Sequence, residues 1–484
     1  MTAFLVTLPC LLAVVAVMGF RQSGLTAASL ALISTLILWG TGSFSPARPE
    51  HLVHATADTL ILLLLVGFVI FLGLLFVLIS NRAGGLDALG DIVRAMNLPE
   101  CRALIVITIG VGVTLESLTG FGVSMMVTMP LLLPMVSRTR AIALALFGMS
   151  LMPWGALSIA TLLGAEIAQL PLQTLANEIL LTSGPVALML PPCCMLLAAQ
   201  RSHRDWLHAV FCSAALLAGI ALTTHWIGVE VAGVGGGLAV LVFSWLRTKP
   251  TRSAIGILSN PALAPYGLLI AAIIAQKLLV APLHNAGISP VFSTGRVAFE
   301  PLTSPGLALG AACVASLWLQ RRHRRPATEP SLLAQTVLRS WRALASIGLF
   351  LLTARLLIES GGTASVAQLL SHMSLYAASS LTVLIGGFGA YATGSGVTSN
   401  ALFMAGATAA GDAFQARNLF AALQHSGAGH VAMASLPIIA ILLASLPSRQ
   451  AGDERTAMRI GLVLAMLWMS VVAVSGIVQL AMRA

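Results

Sequence analysis

The chain is a series of apolar runs of nearly membrane-spanning length, separated by short polar or basic segments. A helix needs roughly 20 mostly apolar residues to cross the hydrocarbon core of a bilayer. Twelve runs meet this requirement and predict twelve crossings: 3–20, 24–41, 58–80, 141–164, 177–198, 206–224, 229–246, 262–280, 304–320, 341–358, 416–446 and 460–481. This pattern predicts an all-α polytopic membrane protein.

Two further apolar stretches, 103–136 and 374–412, are too long for one helix and have polar, glycine-rich centres. Irregular backbone at membrane depth is tolerated only where it is buried in protein or lines a cavity. We therefore expect each stretch to form a re-entrant hairpin, which enters the membrane and returns to its own side. The predicted fold is about twelve transmembrane helices plus two re-entrant hairpins.

Composition and charge support this fold class and predict its orientation. Only 9% of the residues are charged and 58% are hydrophobic, against roughly 25% charged in soluble domains. Cytoplasmic loops collect Lys and Arg, and an outside N-terminus puts 20 of the 26 basic residues inside. Both termini are then periplasmic, the first hairpin enters from the cytoplasm and the second from outside. The net charge of +10 is explained by topology, so no nucleic-acid partner is predicted.

The two hairpins lie at matching places in two halves, 1–246 and 247–484. Each half has a crossing, a connecting segment, a hairpin and a long interrupted crossing. The spacing from Gly120 to Gly155 equals that from Gly394 to Gly429, which predicts interruptions at matching glycines. This order is typical of the inverted-topology repeats of secondary transporters, whose sites form near the midplane from discontinuous helices.

The hairpin tips are the candidate substrate site. Helix N-termini carry unpaired N–H groups and a partial positive charge, so they can hold an anion. Glycines let the backbone approach a ligand, while hydroxyls and amides donate hydrogen bonds. The candidates are Ser117, Thr119, Gly120 and Gly122 in the first tip, and Thr393, Gly394, Ser395, Thr398, Ser399 and Asn400 in the second, with Gln424 from the interrupted crossing. The alternative is that these small residues allow close helix packing.

Three ionisable residues within the apolar stretches are further candidates. Glu116 is the only carboxylate in the first hairpin. A desolvated carboxyl group favours its protonated form, which makes Glu116 a candidate proton carrier; the alternative is a structural carboxylate tied to hydroxyls and backbone. His425 is the second proton candidate. Arg355 is expected to pair with Glu359, four residues on, or to point inward and attract an anionic substrate.

Two motifs resemble the L-lactate permease family. The sequence TLESLTGFGVSM matches the family's Glu-x-x-x-Gly-Phe-Gly stretch, which places Glu116, Gly120, Phe121 and Gly122. The sequence ATGSGVTSNALF is similar to its Thr-Gly-Ser-Asp-x-x-Ser-Asn-Ala-Leu-Phe stretch, and a Gln-x-x-Gly-rich segment begins at Gln424. Gly396 stands where the family has an aspartate. Arg355 lies in a segment that is apolar in known members of the family.

The resemblance implies a proton-coupled symporter for L-lactate, glycolate or a related 2-hydroxymonocarboxylate in the bacterial inner membrane. The expected partners are the small carboxylate, protons and the lipid bilayer, and a homodimer is left open. No cofactor or metal is predicted, the driving ion is a proton, and sodium remains an alternative. The rival functions are transport of another small anion (a sulfonate or dicarboxylate) and a passive anion channel. An enzyme is not expected, since His425 and His430 are five apart and cannot share one helical face.

Overall fold

The protein folds into an almost entirely helical assembly in a computed structural model that describes residues 2–483 except 21, 44, 121, 248–255, 257–258, 321–330 and 363–371. The helices preceding the middle of the chain are α1 Thr2–Met18, α2 Gly24–Gly40, α3 Pro49–Arg82, α4 Gly85–Ala95, α5 Glu100–Thr119, α6 Val123–Leu132, α7 Arg138–Gly148, α8 Ile159–Ala168, α9 Leu172–Leu196, α10 His203–Trp226 and α11 Ala232–Arg247. They are followed by α12 Ala264–Asn285, β1 Phe292–Ser293, β2 Ala298–Phe299, α13 Pro305–Gln320, α14 Leu332–Glu359, α15 Leu375–Thr393, α16 Gly396–Ala413, α17 Arg417–Val431, α18 Leu436–Ala444 and α19 Asp453–Arg483.

Nine helices in the described part of the chain are long and apolar enough to cross a membrane, and a tenth span results if α17 and α18 count as one bent helix. The all-α polytopic prediction is confirmed. Helices occupy all twelve predicted runs, but α1, α2 and α13 are shorter than a full span, and the run 141–164 is covered by two short helices, α7 and α8. The first arms of both predicted hairpins, α5 and α15, are among the nine. The figure of twelve crossings therefore stays a prediction.

Both predicted hairpins reverse direction in the structure. In the first hairpin (α5–α6) the turn lies at Gly120 and Gly122, which have φ values of 68° and 73°. Its returning arm ends beside α4, where a methyl group on Gly90 would lie 3.7 Å from Leu131. The second hairpin (α15–α16) turns at Gly394, and its ends meet in a cluster of Ala378, Ala410 and Phe420.

The two predicted interrupted crossings are broken helices, but only the first breaks where the glycine spacing places it. In the first broken helix (α7–α8) residues 149–158 interrupt the α-helix with two short 3₁₀ turns, Met152–Trp154 and Ala156–Ser158, on either side of Gly155. The second broken helix (α17–α18) bends by 40° at Ser435, not at Gly427 or Gly429, which lie inside α17. These two glycines serve close packing, since a side chain at Gly427 would collide with the carbonyl oxygen of Val383.

A left-handed turn ends the break in the first broken helix. Ala156, Leu157 and Ser158 have φ values of 48°, 51° and 53°, although none is glycine. Left-handed backbone costs an L-residue roughly 1–2 kcal/mol, and such strain persists only where the surrounding structure enforces it. This turn therefore marks the break as a constrained part of the fold.

Candidate functional site

The two broken helices cross at their centres. A methyl group on Gly429 of α17 would lie 2.6 Å from the ring of Pro153, so the two backbones are in contact. Two histidines of α17 reach the backbone of the first break: His425 Nε2 lies 3.2 Å from the Pro153 oxygen, and His430 Nδ1 lies 2.5 Å from the Ser150 oxygen. Both histidines are buried.

Both hairpin tips lie against the same two short segments of the broken helices. At the first tip, methyl groups on Gly120 and Gly122 would lie 2.6 Å from Ala156 Cβ and 3.0 Å from Ile441 Cγ2.

At the second tip, a methyl group on Gly394 would lie 2.8 Å from the ring of Pro437. One on Gly396 would lie 3.9 Å from Ala160 Cβ. Segments 156–160 and 437–441 are therefore flanked by one tip on each side. The structure brings together the two tips that the sequence places more than half a chain apart.

Four helices begin in this central region, and their N-termini differ in how they are capped. The helix α16 is capped by Ser395, whose Oγ accepts a hydrogen bond from the Thr398 N–H. The helices α8 and α18 have no side-chain cap at Ser158 and Ser435. Ser158 donates instead to the Val229 carbonyl, whereas Ser435 is fully buried and its Oγ has no partner among the described residues.

The fourth helix start, that of α6, is occupied by Glu116. One carboxylate oxygen accepts the Gly122 N–H at 3.1 Å and the other accepts the Ser124 hydroxyl at 2.7 Å. The side chain is 2% exposed. These contacts are those of the structural alternative in the sequence analysis, and they leave the start of the first returning helix filled by the protein's own carboxylate.

The other polar candidates of the first tip, Ser117 and Thr119, contact neighbouring protein groups. The Thr119 hydroxyl donates to the Leu115 carbonyl within the same helix. Ser117 is packed against Gly233 of α11, where any side chain would collide with its hydroxyl. Phe121 lies outside the described residues. The contacts of Ser117 and Thr119 match the packing alternative.

The hydroxyls of the second tip bond within the hairpin. Thr393 donates to the Gly389 and Ser395 carbonyls, and Ser399 donates to the Gly386 carbonyl at 2.7 Å. The Gln424 amide nitrogen donates to the Ser399 carbonyl at 3.2 Å, which ties α17 to this hairpin.

Asn400 is the residue of the second tip that joins the most elements. Its Nδ2 donates to the Ala160 carbonyl at 2.7 Å and lies 2.8 Å from His425 Nδ1, so it links α16, α8 and α17. The side-chain oxygens of Asn400 and Gln424 are buried and have no partner among the described residues. An unpaired buried acceptor costs about 1–3 kcal/mol, so both oxygens are suited to a donor that the protein itself does not supply.

The neighbours of His425 determine which ring nitrogen carries the proton. The Asn400 amide nitrogen, Nδ2, can only donate, so Nδ1 of His425 accepts. The Pro153 carbonyl can only accept, so Nε2 carries the hydrogen. These two contacts suit the neutral ring with its hydrogen on Nε2, and a second proton on Nδ1 would face the N–H of Asn400.

Gly396, where the resembling family has an aspartate, lies at the crossing point. A Cβ atom there would have only ordinary contacts, 3.8 Å from Gly429 Cα and 3.9 Å from Ala160 Cβ. The backbone therefore does not require glycine at this position. Because position 396 has no acid, Glu116 is the only carboxylate among the predicted site residues.

Arg355 does not pair with Glu359, so that prediction is wrong. It forms a buried ion pair with Asp58 of α3, with Nε 3.1 Å from the carboxylate, while Glu359 pairs with Arg296 at 2.8 Å. The reason is that α3 and α14 pack side by side and bring the fully buried Asp58 opposite Arg355. A pair within one helix contributes only about 0.2–0.5 kcal/mol, whereas a buried carboxylate such as Asp58 that loses its partner is strongly destabilising.

Arg355 also lines a cavity of about 310 Å³ near the ends of α8 and α16. Arg296 and Arg417, both predicted to lie outside, line the same cavity, with Glu359 and Asp412 as the acids. Asp58 does not line the cavity but pairs with Arg355. Counting it, the three arginines are balanced by three carboxylates. The cavity is polar but carries no net charge.

The space beside the first tip is much smaller. A cavity of about 10 Å³ lies between Thr119, Ala156 and Leu157, which is about the volume one water requires. A carboxylate such as lactate does not fit there, so substrate binding next to this tip requires the tip or the left-handed turn to move.

Ser435 and Asp58 were not among the residues predicted from the sequence. The tripeptide Ser435–Leu436–Pro437 is a helix-start signal, with Ser at the N-cap and Pro in the first turn, and it could have placed the second break correctly. Asp58 is an acid at the edge of an apolar run, but its partner on a distant helix has no local signal.

The carboxyl-terminal part of the chain resembles a known family. Residues 267–482 match the family model of L-lactate permease. The match covers a little under half of the chain and confirms the resemblance over that range. It contains the second hairpin and the second broken helix, whereas the first hairpin with Glu116 precedes it.

No curated protein matches the chain. The family is named for a permease, and the structure has the apolar helices of a multi-pass membrane protein. Lactate permease is thus what this chain is similar to, on an all-helical membrane fold.

Proposed function

We propose that the protein is a secondary active transporter that carries a small 2-hydroxymonocarboxylate, such as L-lactate or glycolate, with a proton across the bacterial inner membrane. The observation that carries the proposal is that the L-lactate permease match includes the second hairpin and second broken helix. These elements contain Asn400, Gln424 and Ser435, whose side chains each have a buried oxygen without a partner among the described residues. Both termini are periplasmic in this proposal, and the two halves are inverted repeats whose hairpins enter from opposite sides.

The substrate binds between the hairpin tips at the starts of α16 and α18. The N-terminus of α18 offers backbone N–H groups without a side-chain cap, and Ser435 offers an unpaired hydroxyl as a donor to a carboxylate. The 2-hydroxyl of the substrate donates to the unpaired oxygen of Asn400. A 2-hydroxy acid therefore supplies an acceptor and a donor, which these two residues need.

Glu116 carries the proton in this proposal. A carboxylate that gains a proton keeps its contact with Ser124 by reversing it, because a hydroxyl both donates and accepts. The Gly122 N–H still bonds to the other oxygen. His425 is the weaker candidate, since a proton on Nδ1 would break its bond from Asn400.

A different small anion is the second candidate, because Arg355 lines a cavity of about 310 Å³. Its pairing with Asp58 and the balance of charges around the cavity argue against a dianion. We therefore expect selectivity for monocarboxylates over dicarboxylates.

Ligand-dependent thermal unfolding of the purified protein tests this proposal. A ligand that binds only the folded state stabilises it by about 2.7 kcal/mol at a hundredfold excess over its Kd. L-lactate and glycolate should raise the unfolding temperature, propionate should raise it less because it has no 2-hydroxyl, and malate should have no effect. A shift with malate or 2-hydroxyethanesulfonate but not with lactate would replace the monocarboxylate by another anion. In liposomes, saturable counterflow is expected, and flux without counterflow would indicate a channel.

A further inference from the structure

An apolar crevice of about 390 Å³ runs from the outer surface of the helical assembly to Gln424. Its walls come from α1, α14, α15 and α16, with Cys10, Ala354 and Phe403 among them. Leu11 and Phe388 at its mouth are 46% and 50% exposed, whereas Gln424 is fully buried. In a membrane protein this mouth faces lipid.

The crevice has the properties of a ligand site. Small-molecule sites enclose about 300–1,000 Å³ and have mostly apolar walls with a few polar groups that fix the ligand. Thr382 also lines the crevice, but its hydroxyl donates to the Ala378 carbonyl. The buried polar group with an unpaired atom at the inner end is Gln424. Its Nε2 donates to Ser399, and its Oε1 has no partner among the described residues.

The polar groups of the crevice determine the head group of the ligand. Because Oε1 of Gln424 can only accept a hydrogen bond, the ligand must donate one. Of the described residues that line the crevice, none is Lys, Arg or His, so an ionised carboxylate would lose its hydration without gaining an opposite charge. The ligand is therefore neutral, with an O–H donor at one end and an apolar chain behind it.

We propose that this crevice binds a medium-chain fatty acid in its protonated form, which reaches it from the bilayer. The carboxyl O–H donates to Gln424 Oε1, and the chain lies between α1 and the second hairpin toward Leu11 and Phe388. Binding does not depend on the proposed transport function. If that function holds, the ligand also inhibits transport, because its chain contacts Leu402 and Phe403 of the hairpin.

Photo-crosslinking of the full chain in lipid nanodiscs tests the proposal. The probe is decanoic acid with a diazirine at its methyl end. We expect crosslinks in α1 and around Phe388, which excess decanoic acid suppresses. Crosslinking should weaken as the pH is raised from mildly acidic to mildly alkaline, because the ionised acid has no donor, whereas a decanol probe should show no such change. Crosslinks spread over all lipid-facing helices, or insensitive to competitor, would overturn the proposal.

Variants locate the two ends of the ligand. Ala354→Trp fills the crevice and should abolish these crosslinks, whereas Val463→Trp, on a lipid-facing position of α19 that is 58% exposed, should not. Cys10→Phe fills the crevice from the opposite wall and replaces Ala354→Trp if that variant does not fold. Gln424→Leu should lower the apparent affinity about tenfold, the usual effect of losing one hydrogen bond to a buried group. Equal labelling of the filled variants and the Val463→Trp control would contradict the site.

Discussion

Glu116 is a buried carboxylate with structural contacts, and in the proposed function it also carries the proton. Its two hydrogen bonds hold the turn of the first hairpin closed at Gly122 and Ser124. A proton can be added at the oxygen next to Ser124 without losing either contact, because the hydroxyl can turn. The residue can therefore gain a proton while both hydrogen-bond contacts of the tip are kept.

Replacing Glu116 by Gln separates these two roles. Glutamine retains an acceptor for the Gly122 N–H and a donor for Ser124, so the fold and lactate counterflow should be preserved. Uptake driven by a pH gradient should fall to the level of protein-free liposomes, because the amide cannot carry a proton. The matched control is Glu230→Gln, which removes another buried carboxylate far along the chain, paired with Lys277, and should leave driven uptake intact. Full pH-driven uptake by Glu116→Gln would move the proton site elsewhere.

The sequence predicts which residue types gather at the site better than it predicts their contacts. Glu116, Asn400 and His425 are identified by polar chemistry within apolar runs, and all three are buried at the tips or the crossing. Ser117 and Thr119 satisfy the same criterion, yet one packs on Gly233 and the other bonds within its helix. The direction of a side chain depends on the helix rotation, which tertiary packing decides.

The broken helices are the elements that bring the tips together. The first breaks through a left-handed turn of three non-glycine residues, and the second bends at a Ser–x–Pro start signal. The glycine spacing predicted a break at Gly429 to match the one at Gly155. That inference failed because glycine can interrupt a helix but can also permit close packing. Gly429 does the second, since Pro153 occupies the space of its side chain. A sequence pattern alone does not separate these two uses.

The contact between Gly120 and Ala156 can be tested with a double-mutant cycle. Gly120 has φ 68° and ψ −164°, a conformation open almost only to glycine. Gly120→Ala should therefore destabilise the protein by about 1–3 kcal/mol for the backbone, and further for the clash with Ala156 Cβ. Ala156→Gly alone should be nearly neutral, because relief of left-handed strain offsets the added flexibility.

In the double variant, Ala156→Gly should restore the part of the stability that was lost to the clash, and the backbone part should remain lost. The measurement is the thermal unfolding of the four proteins in detergent. Strictly additive effects would mean that the first tip does not touch the left-handed turn.

At the scale of the whole molecule, charge is concentrated at the ends of the helices. Arg296 and Arg417, both predicted outside, line one cavity with Arg355, while Arg138, predicted inside, pairs with Asp453 at 2.7 Å. Counting basic residues along the chain indicates their side of the membrane, because each long helix separates the two ends. The pairing of Asp58 with Arg355 was not predictable in this way, since it depends on which helices become neighbours.

We propose that this assembly couples lactate movement to protons. The most direct test is uptake of labelled L-lactate into proteoliposomes with an imposed pH gradient, alkaline inside, with protein-free liposomes as the measure of passive diffusion. If transport is coupled to protons, lactate should accumulate transiently above its external concentration, and a protonophore should abolish this accumulation. Protein-dependent uptake at the same rate with and without the gradient would contradict the proposal.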